Sequence, residues 1–107
     1  MQLVHYTISR LSMAGWWVWR NNSGMLPMEY KGRKRMIKVG QKGVSDVIGF
    51  TPEGIFVAAE LKIRPNKPTP AQQEFIDNLN RNNGFGKIIY DTDEVEVFIQ
   101  EYERKFK

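Results

Sequence analysis

The sequence predicts an α/β fold in which a mixed β-sheet is flanked by helices, within a single domain over residues 1–107. Apolar residues recur at helical spacing near both ends of the chain, whereas runs rich in β-branched residues lie between them. With 107 residues, of which 41% are hydrophobic, the chain is long enough to form one modest core. The predicted order is helix, strand, β-ribbon, two strands, helix, strand and helix.

The first half of the chain predicts a helix, a strand and a ribbon. Apolar residues at helical spacing indicate a helix over residues 2–14, ended by Gly15. An aromatic run indicates a strand over residues 16–20, and a polar turn follows it. Residues 28–39 predict a basic β-ribbon bent at Gly32.

Three tryptophans lie in this first strand. Because side chains alternate along a strand, Trp17 and Trp19 share one face, while Trp16 and Val18 share the other. Aromatic rings can stack on unpaired bases, but large aromatic side chains more often fill cores and interfaces. At least two of the three indoles are therefore predicted to pack in the core or at an interface.

A turn signal at residues 51–54 separates two apolar runs and predicts a β-hairpin centred near Glu53. Cross-strand partners in such a hairpin have numbers that sum to about 106, which places Asp46 opposite Glu60. Glu60 and Lys62 point to the same side of the sheet because side chains alternate. Two acids and a lysine therefore converge in an otherwise apolar pair of strands.

Charged groups in such a setting are costly unless they are paired or bind a metal. Two neighbouring carboxylates favour a shared proton or a divalent cation, and oxygen ligands suit Mg²⁺ or Mn²⁺. With no cysteine and only His5, the chain argues against a tetrahedral zinc site. The alternative is a salt bridge of Lys62 to Asp46 or Glu60, without catalysis.

The second half of the chain predicts two further helices around a strand. Thr69 is a suitable N-cap, and Pro70 suits the first position of the helix that follows. Residues 87–90 predict a strand, and Asp93 with Glu96 resembles a capping box that begins the last helix. Four apolar residues of that helix are predicted to face the core: Val95, Phe98, Ile99 and Tyr102.

The charge distribution indicates a polyanionic partner. The chain has 16 Lys and Arg residues against 12 Asp and Glu, a net charge of +4. Phosphate contacts from such a cationic surface would give salt-sensitive affinity for nucleic acid; the alternative is a solvated basic hairpin. Six of the cations lie within twelve positions: Lys31, Arg33, Lys34, Arg35, Lys38 and Lys42.

Four blocks with short spacers follow one another along the chain: residues 15–24, Gly43-x-Ser45-Asp46, Glu60-x-Lys62 and residues 68–75. Together they resemble the PD-(D/E)xK nucleases, and most closely the VRR-NUC family. The resemblance covers residues 1–92. It implies a restriction-endonuclease-like fold and a DNA endonuclease that depends on Mg²⁺ or Mn²⁺.

The resemblance also implies roles for individual residues. Asp46, Glu60 and the Leu61 carbonyl would bind the metal. Lys62 would orient or deprotonate the attacking water, or stabilise the transition state. The positioning and charge-stabilising roles are favoured because an ordinary lysine is protonated at neutral pH. Gln72, in the first turn of its helix, is a candidate for contacting the same water or the scissile phosphate.

The chain departs from the family pattern at two places. Ser45 stands where the motif name has proline, which changes backbone geometry more than chemistry. Relatives often carry a metal-binding glutamate on the first helix, where the nearest candidates here are Gln2 and His5.

A chain this small has little surface for recognising sequence, so recognition of DNA shape or branching is expected. Stand-alone members of the resembled family are associated with phage and with junction cleavage, and a symmetric homodimer would present two sites to two strands. The open alternatives are a nucleic-acid-binding module with an inactive site and a structural subunit. The candidates for contacting DNA are Arg20, Asn21, Asn22, Arg33, Arg35, Lys38, Lys42, Arg64 and Lys67.

The sequence also predicts the compartment. It has no apolar run long enough to span a bilayer and no signal-peptide pattern. The absence of cysteine is compatible with a reducing environment. We therefore expect a cytoplasmic protein of a bacterial or phage-infected cell, without a membrane partner.

Overall fold

A computed structural model describes residues 2–21, 25–38 and 42–107. Residues 22–24, which make up most of the predicted polar turn, and residues 39–41, at the end of the predicted ribbon, lie outside this range. The described elements, in chain order, are α1 (Gln2–Met13), β1 (Trp17–Arg20), β2 (Met25–Tyr30), β3 (Arg33–Lys38), β4 (Val47–Phe50), β5 (Phe56–Leu61), α2 (Pro70–Arg81), β6 (Phe85–Ile89) and α3 (Thr92–Phe106).

Four strands form one mixed sheet in the order β1-β4-β5-β6. The β1–β4 and β4–β5 pairs are antiparallel, whereas β5 and β6 run parallel with α2 as the crossover between them. Strands β2 and β3 form a separate two-stranded antiparallel ribbon that turns at Lys31 and Gly32. The predicted α/β class and mixed sheet are confirmed.

The core lies between one face of the sheet and the helices α1 and α3. Val18, Val57 and Ile89 project from the strands into the same buried cluster as Leu11 of α1. Trp16 packs edge-on against two aromatic rings of α3, which ties the start of β1 to that helix. The four residues of α3 that were predicted to face the core are all buried: Val95, Phe98, Ile99 and Tyr102.

Helix α2 covers part of the opposite face. Its predicted start is confirmed, because the Thr69 hydroxyl accepts a hydrogen bond from the Gln72 amide at 3.2 Å. The Gln72 side chain returns the bond by accepting from the Thr69 amide at 2.9 Å. A Cβ on Gly86 of β6 would lie 2.9 Å from the Ile76 side chain, so glycine allows α2 to pack closely on the sheet. The contacts of α2 with the sheet are made to β5 and β6.

The prediction for the tryptophans is wrong as regards the core. Trp16 is buried, but Trp17 and Trp19 are 70% and 44% exposed. Their alternation was predicted correctly, and their exposure follows from the position of α2. Because that helix packs on β5 and β6, it leaves the β1 half of this face uncovered in the described part of the chain.

The starts of three elements differ from the sequence predictions by two residues or more. The ribbon begins at Met25 rather than residue 28, and β6 begins at Phe85 rather than residue 87 because Phe85 pairs with Val57. Helix α3 is capped by Asp91, whose carboxylate accepts from the Glu94 amide at 3.0 Å, so the predicted cap at Asp93 is wrong. Two aspartates two positions apart offer competing caps, and the strand end at Ile89 favours the earlier one.

The β4–β5 turn is fastened to α3 by a buried hydrogen bond. The Thr51 and Tyr102 hydroxyl oxygens lie 2.6 Å apart, and the Tyr102 hydroxyl also donates to the Glu53 carboxylate. Both Thr51 and Tyr102 are almost completely buried. Because the turn sets the register of a hairpin, this contact helps to fix which residues of β4 and β5 face each other.

No helix within residues 2–21, 25–38 and 42–107 is both long enough and apolar enough to cross a membrane.

Candidate active site

The hairpin register places Asp46 beside Glu60, as predicted. Val47 pairs with Ala59, and Asp46 is the residue before β4. Its carboxylate accepts a hydrogen bond from the Leu61 amide at 2.9 Å, and its backbone carbonyl accepts from the Asn21 amide at 2.7 Å. The side chain of Asp46 is therefore held at the end of the sheet, next to the last residues of β5.

Glu60 is an acid in an apolar environment. It is 2% exposed, and its Oε2 atom is buried without a hydrogen-bond partner among the described residues. Burial, together with the negative charge of Asp46, raises the pKa of Glu60 to about 8. A cation next to this carboxylate would favour its charged form and supply the partner that Oε2 lacks.

Lys62 lies on the same side of β5 as Glu60, as the alternation predicted. Its Nζ is 3.9 Å from Glu60 Oε1, at the outer limit of an ion pair. Its backbone amide donates to the Ile89 carbonyl at 3.0 Å, which continues the pairing with β6. The salt bridge considered from the sequence is thus present for Glu60, but it leaves the second oxygen of that carboxylate unsatisfied.

A cavity of about 560 Å³ opens beside Asp46, between the loop that precedes β4 and the start of α2. Gln72 lines it together with Asp46, so the structure brings together these two predicted site residues. The side-chain oxygen of Gln72 accepts a hydrogen bond in the helix cap, which leaves its side-chain nitrogen for other contacts. The full lining is Lys42, Gly43, Val44, Asp46, Thr69, Pro70, Ala71 and Gln72.

Gly43 has a structural role that the sequence analysis did not assign. Its φ is +84°, and a Cβ there would lie 2.4 Å from the Ala71 carbonyl oxygen. Only glycine allows the loop to pass this close to α2 and to bring Asp46 to the cavity. The signal in the sequence was the glycine of the Gly43-x-Ser45-Asp46 block.

The carboxylate oxygens of Asp46 and Glu60 are ligands that suit a hard divalent cation. Within residues 2–21, 25–38 and 42–107, no three or more His, Asp or Glu side chains form a group that could hold a metal. The candidate site is therefore a pair of acids, Asp46 and Glu60. The unpartnered Oε2 of Glu60 is the observation that fits a bound cation.

The two candidates for the missing first-helix acid lie away from this cavity. Gln2 lines a different cavity, of about 550 Å³, with Tyr6, Ile63 and Tyr90. His5 is exposed on α1. Neither side chain lines the cavity that contains Asp46 and Gln72.

The predicted DNA contacts fall into three groups. Arg20 and Lys42 are exposed near the end of the sheet that carries Asp46, and Asn21 is half-buried there. Arg33 is exposed at the ribbon turn and Lys67 is exposed before α2, whereas Arg64 donates to Glu94 at 2.8 Å and stacks over the Tyr90 ring. Asn22 lies outside the described residues, and for Arg35 and Lys38 the structure describes the backbone but not the side chain.

Fold and site together define a mixed-sheet α/β protein with two acids and a lysine at the end of a β-hairpin. No protein-family model matches the chain, and no curated protein matches it. A solved structure described as "VRR_NUC domain" is similar to it, with a TM-score of 0.65 and 20% sequence identity over 94% of each chain. The chain therefore has the fold of a VRR-NUC domain, which confirms the fold that the motif resemblance implied.

Proposed function

We propose that this protein is a metal-dependent DNA endonuclease that hydrolyses phosphodiester bonds. The observation that carries the proposal is the buried carboxylate of Glu60, whose Oε2 atom has no hydrogen-bond partner among the described residues and which neighbours Asp46, a residue that lines an open cavity. The VRR-NUC fold supports this chemistry. The compartment expected from the sequence, the cytoplasm of a bacterial or phage-infected cell, stays a prediction.

In the proposed mechanism, Asp46 and Glu60 would hold Mg²⁺ or Mn²⁺. The Leu61 amide donates to Asp46, and in an extended strand the carbonyl of the same residue points to the same neighbour, so the Leu61 carbonyl is the proposed third ligand. A cation held there would supply Lewis-acid chemistry, which would favour deprotonation of the attacking water and offset negative charge on the phosphoryl oxygens.

Lys62 and Gln72 are the residues that would assist the two acids. Lys62 carries a positive charge next to Glu60, and we assign it the positioning of the attacking water and the stabilisation of phosphoryl charge. Gln72 faces the same cavity as Asp46, and its free amide nitrogen can donate to the water or to the scissile phosphate.

The basic ribbon would hold DNA next to this site. Met25 follows Asn21 by four residues, so the start of the ribbon lies at most about 14 Å from the residue that bonds to Asp46. Lys31, Arg33 and Lys34 are exposed at the ribbon turn. The ribbon follows in the chain the strand that ends beside Asp46, and its exposed cations are the proposed phosphate contacts.

We expect the combined replacement of Arg33 and Lys34 by alanine to weaken DNA binding about equally for all sequences. Each lost phosphate contact should reduce the slope of log affinity against log salt by roughly 0.9. Fluorescence anisotropy at several salt concentrations measures that slope. The control is the Arg104→Ala/Lys105→Ala variant, which removes the same charge from exposed positions on α3. An unchanged slope in the ribbon variant, or an equal change in the control, would show that DNA follows another path.

The proposed substrate is branched DNA, such as a four-way junction, and the proposed active form is a homodimer. A two-fold symmetric pair of sites matches the two strands that must be cut at a junction.

We expect light scattering at micromolar concentration to give twice the mass of one chain. In a comparison of linear, nicked, flap and four-way DNA with each metal, we expect paired nicks in the junction. A monomeric mass with efficient cutting of ordinary flaps would contradict the junction-resolving function.

A nucleic-acid-binding module with an inactive site is the second candidate function. It is favoured by the absence of a third acid near Asp46 and Glu60 in the part of the chain that the structure describes. The same comparison of substrates distinguishes the two functions. The binding module predicts that DNA is bound without Mg²⁺ or Mn²⁺ and is not cut with either.

A further inference from the structure

The two oxygens of the Glu60 carboxylate have different surroundings. Oε1 lies 3.9 Å from the Lys62 ammonium, whereas Oε2 accepts no hydrogen bond from the described residues. Because Oε2 is buried, bulk water does not supply the missing partner either. The lysine therefore takes one side of this carboxylate and leaves the Oε2 side for a cation.

Asp46 offers a matching oxygen. The hairpin register places it opposite Glu60, and side chains at opposite positions on neighbouring strands have Cβ atoms about 5 Å apart. Asp46 Oδ2 accepts from the Leu61 amide at 2.9 Å, which leaves Oδ1 for other contacts. Proteins commonly hold Mg²⁺ through one or two carboxylates, while waters and substrate phosphates complete its coordination. The two acids therefore suffice for one hydrated cation.

A second cation at the same site would need further acids. Two-metal sites hold their ions about 3.5–4 Å apart, so the ligands of both ions must meet in one cluster. Within residues 2–21, 25–38 and 42–107, no cluster of three or more Asp, Glu or His side chains could hold a metal. The remaining positions of the chain contain none of these residue types. The acids of this chain therefore form a ligand set for one ion.

The charges around the site also disfavour a second cation. Lys42 lines the cavity together with Asp46, and Lys62 lies beside Glu60, so two lysines accompany the two acids. Glu74 lines an adjoining cavity, also with Lys42. One divalent cation would give the site a positive charge that DNA phosphates offset. A second would add two more positive charges next to the Lys62 ammonium, where the two acids are already used by the first.

We propose that this site binds one divalent cation per chain, on the Oε2 side of Glu60, and that the Lys62 ammonium occupies the place beside Oε1 that a second cation would need. The inference rests on the proposed function for the kind of metal. It also gives Lys62 a more specific role. The lysine supplies to the phosphoryl group the positive charge that a second ion supplies in two-metal sites.

Titration of the metal-free full chain with Mn²⁺, in the absence of DNA, tests the inference. Electron paramagnetic resonance counts the bound ions, because the sharp signal of free Mn²⁺ is lost on binding. Ions that also bind to the Glu60→Gln variant lie elsewhere on the chain and are subtracted. We expect wild type to bind one ion at the site, with a spectrum that shows no coupling between two Mn²⁺ ions.

A charge-reversing variant tests the place assigned to Lys62. Lys62→Glu removes the positive charge and adds a third carboxylate on the same side of β5, so we expect it to bind two coupled ions. The matched control is Lys105→Glu, the same change at an exposed position on α3, which should bind one ion like wild type. Circular dichroism verifies the fold of each variant, and the wild-type count depends on none of them.

Two coupled ions in wild type, or no ion at the site, would overturn the inference. So would a single ion in a folded Lys62→Glu variant, because the place beside Oε1 would then not suit a cation. Failure of the proposed function is separate. It would appear as a chain that binds one Mn²⁺ as expected but cuts no DNA with either metal, whereas a chain that binds two coupled ions and cuts DNA would contradict the inference alone.

Discussion

Replacing Asp46 with asparagine or Glu60 with glutamine is expected to lower the rate of DNA cleavage by about two orders of magnitude or more. Each substitution keeps the shape of the side chain but removes a charge that would hold the cation. Folding should survive both changes. The asparagine of Asp46→Asn retains an oxygen that can accept from the Leu61 amide, and the glutamine of Glu60→Gln is neutral at a position where a buried charge is costly.

The matched controls are Asp93→Asn and Glu101→Gln, which make the same chemical changes on α3, away from the cavity. Cleavage of plasmid and branched DNA in Mg²⁺ and in Mn²⁺ measures the effect, and circular dichroism verifies the fold. Wild-type rates in either site variant would contradict the assignment of these acids to the metal.

The second large effect concerns stability as a function of pH in the metal-free protein. The pKa of Glu60 is about 8 in the folded state and near 4.5 in the unfolded chain. The stabilisation that the folded protein gains from keeping Glu60 protonated is therefore complete below pH 4.5. It is lost as the pH rises through 8, since the unfolded chain releases the proton at lower pH than the folded protein does. Each unit of difference corresponds to about 1.4 kcal/mol, so the loss should amount to a few kcal/mol.

Urea unfolding of wild type and Glu60→Gln in EDTA, at pH 5, 7 and 9, isolates this contribution. The variant cannot titrate at this position. The difference between its free energy of unfolding and that of wild type should therefore shift in favour of the variant as the pH rises. Carboxylates elsewhere that have lowered pKa values, such as Glu53, act in both proteins and cancel in the difference. A difference that stays constant between pH 5 and 9 would show that Glu60 is charged throughout.

The hairpin that carries the acids could be predicted because local signals determine it. The turn at residues 51–54 sets the centre, alternation sets the faces, and the observed pairing of Val47 with Ala59 has the predicted register. The start of α2 could be predicted equally well, since Thr69, Pro70 and Gln72 form a cap within four residues. These parts of the fold are determined by contacts between residues that are close in the sequence.

The position of α2 across the sheet could not be predicted in the same way. It depends on the close packing of Ile76 and Leu79 against Gly86 of β6, which is a contact between separate elements. That position decides which half of the face stays open, and hence why Trp17 and Trp19 are exposed. The cap of α3 was missed for a different reason, because two aspartates competed and the local rule does not rank them.

Within the candidate site, the neighbourhood of Asp46, Glu60 and Gln72 followed from spacing, whereas the electrostatics did not. Burial of Glu60 and the isolation of its Oε2 depend on the whole layer around β5, which no short motif encodes. The same holds for Gln2, whose position in a different cavity is set by the packing of α1.

The central claim is that Asp46 and Glu60 together bind a divalent cation, and calorimetric titration with Mn²⁺ in the absence of DNA tests it most directly. Wild type and the Asp93→Asn control should bind Mn²⁺ with the same affinity and stoichiometry. Both Asp46→Asn and Glu60→Gln should lose that binding while remaining folded. Equal Mn²⁺ binding by wild type and by the two site variants would contradict the claim.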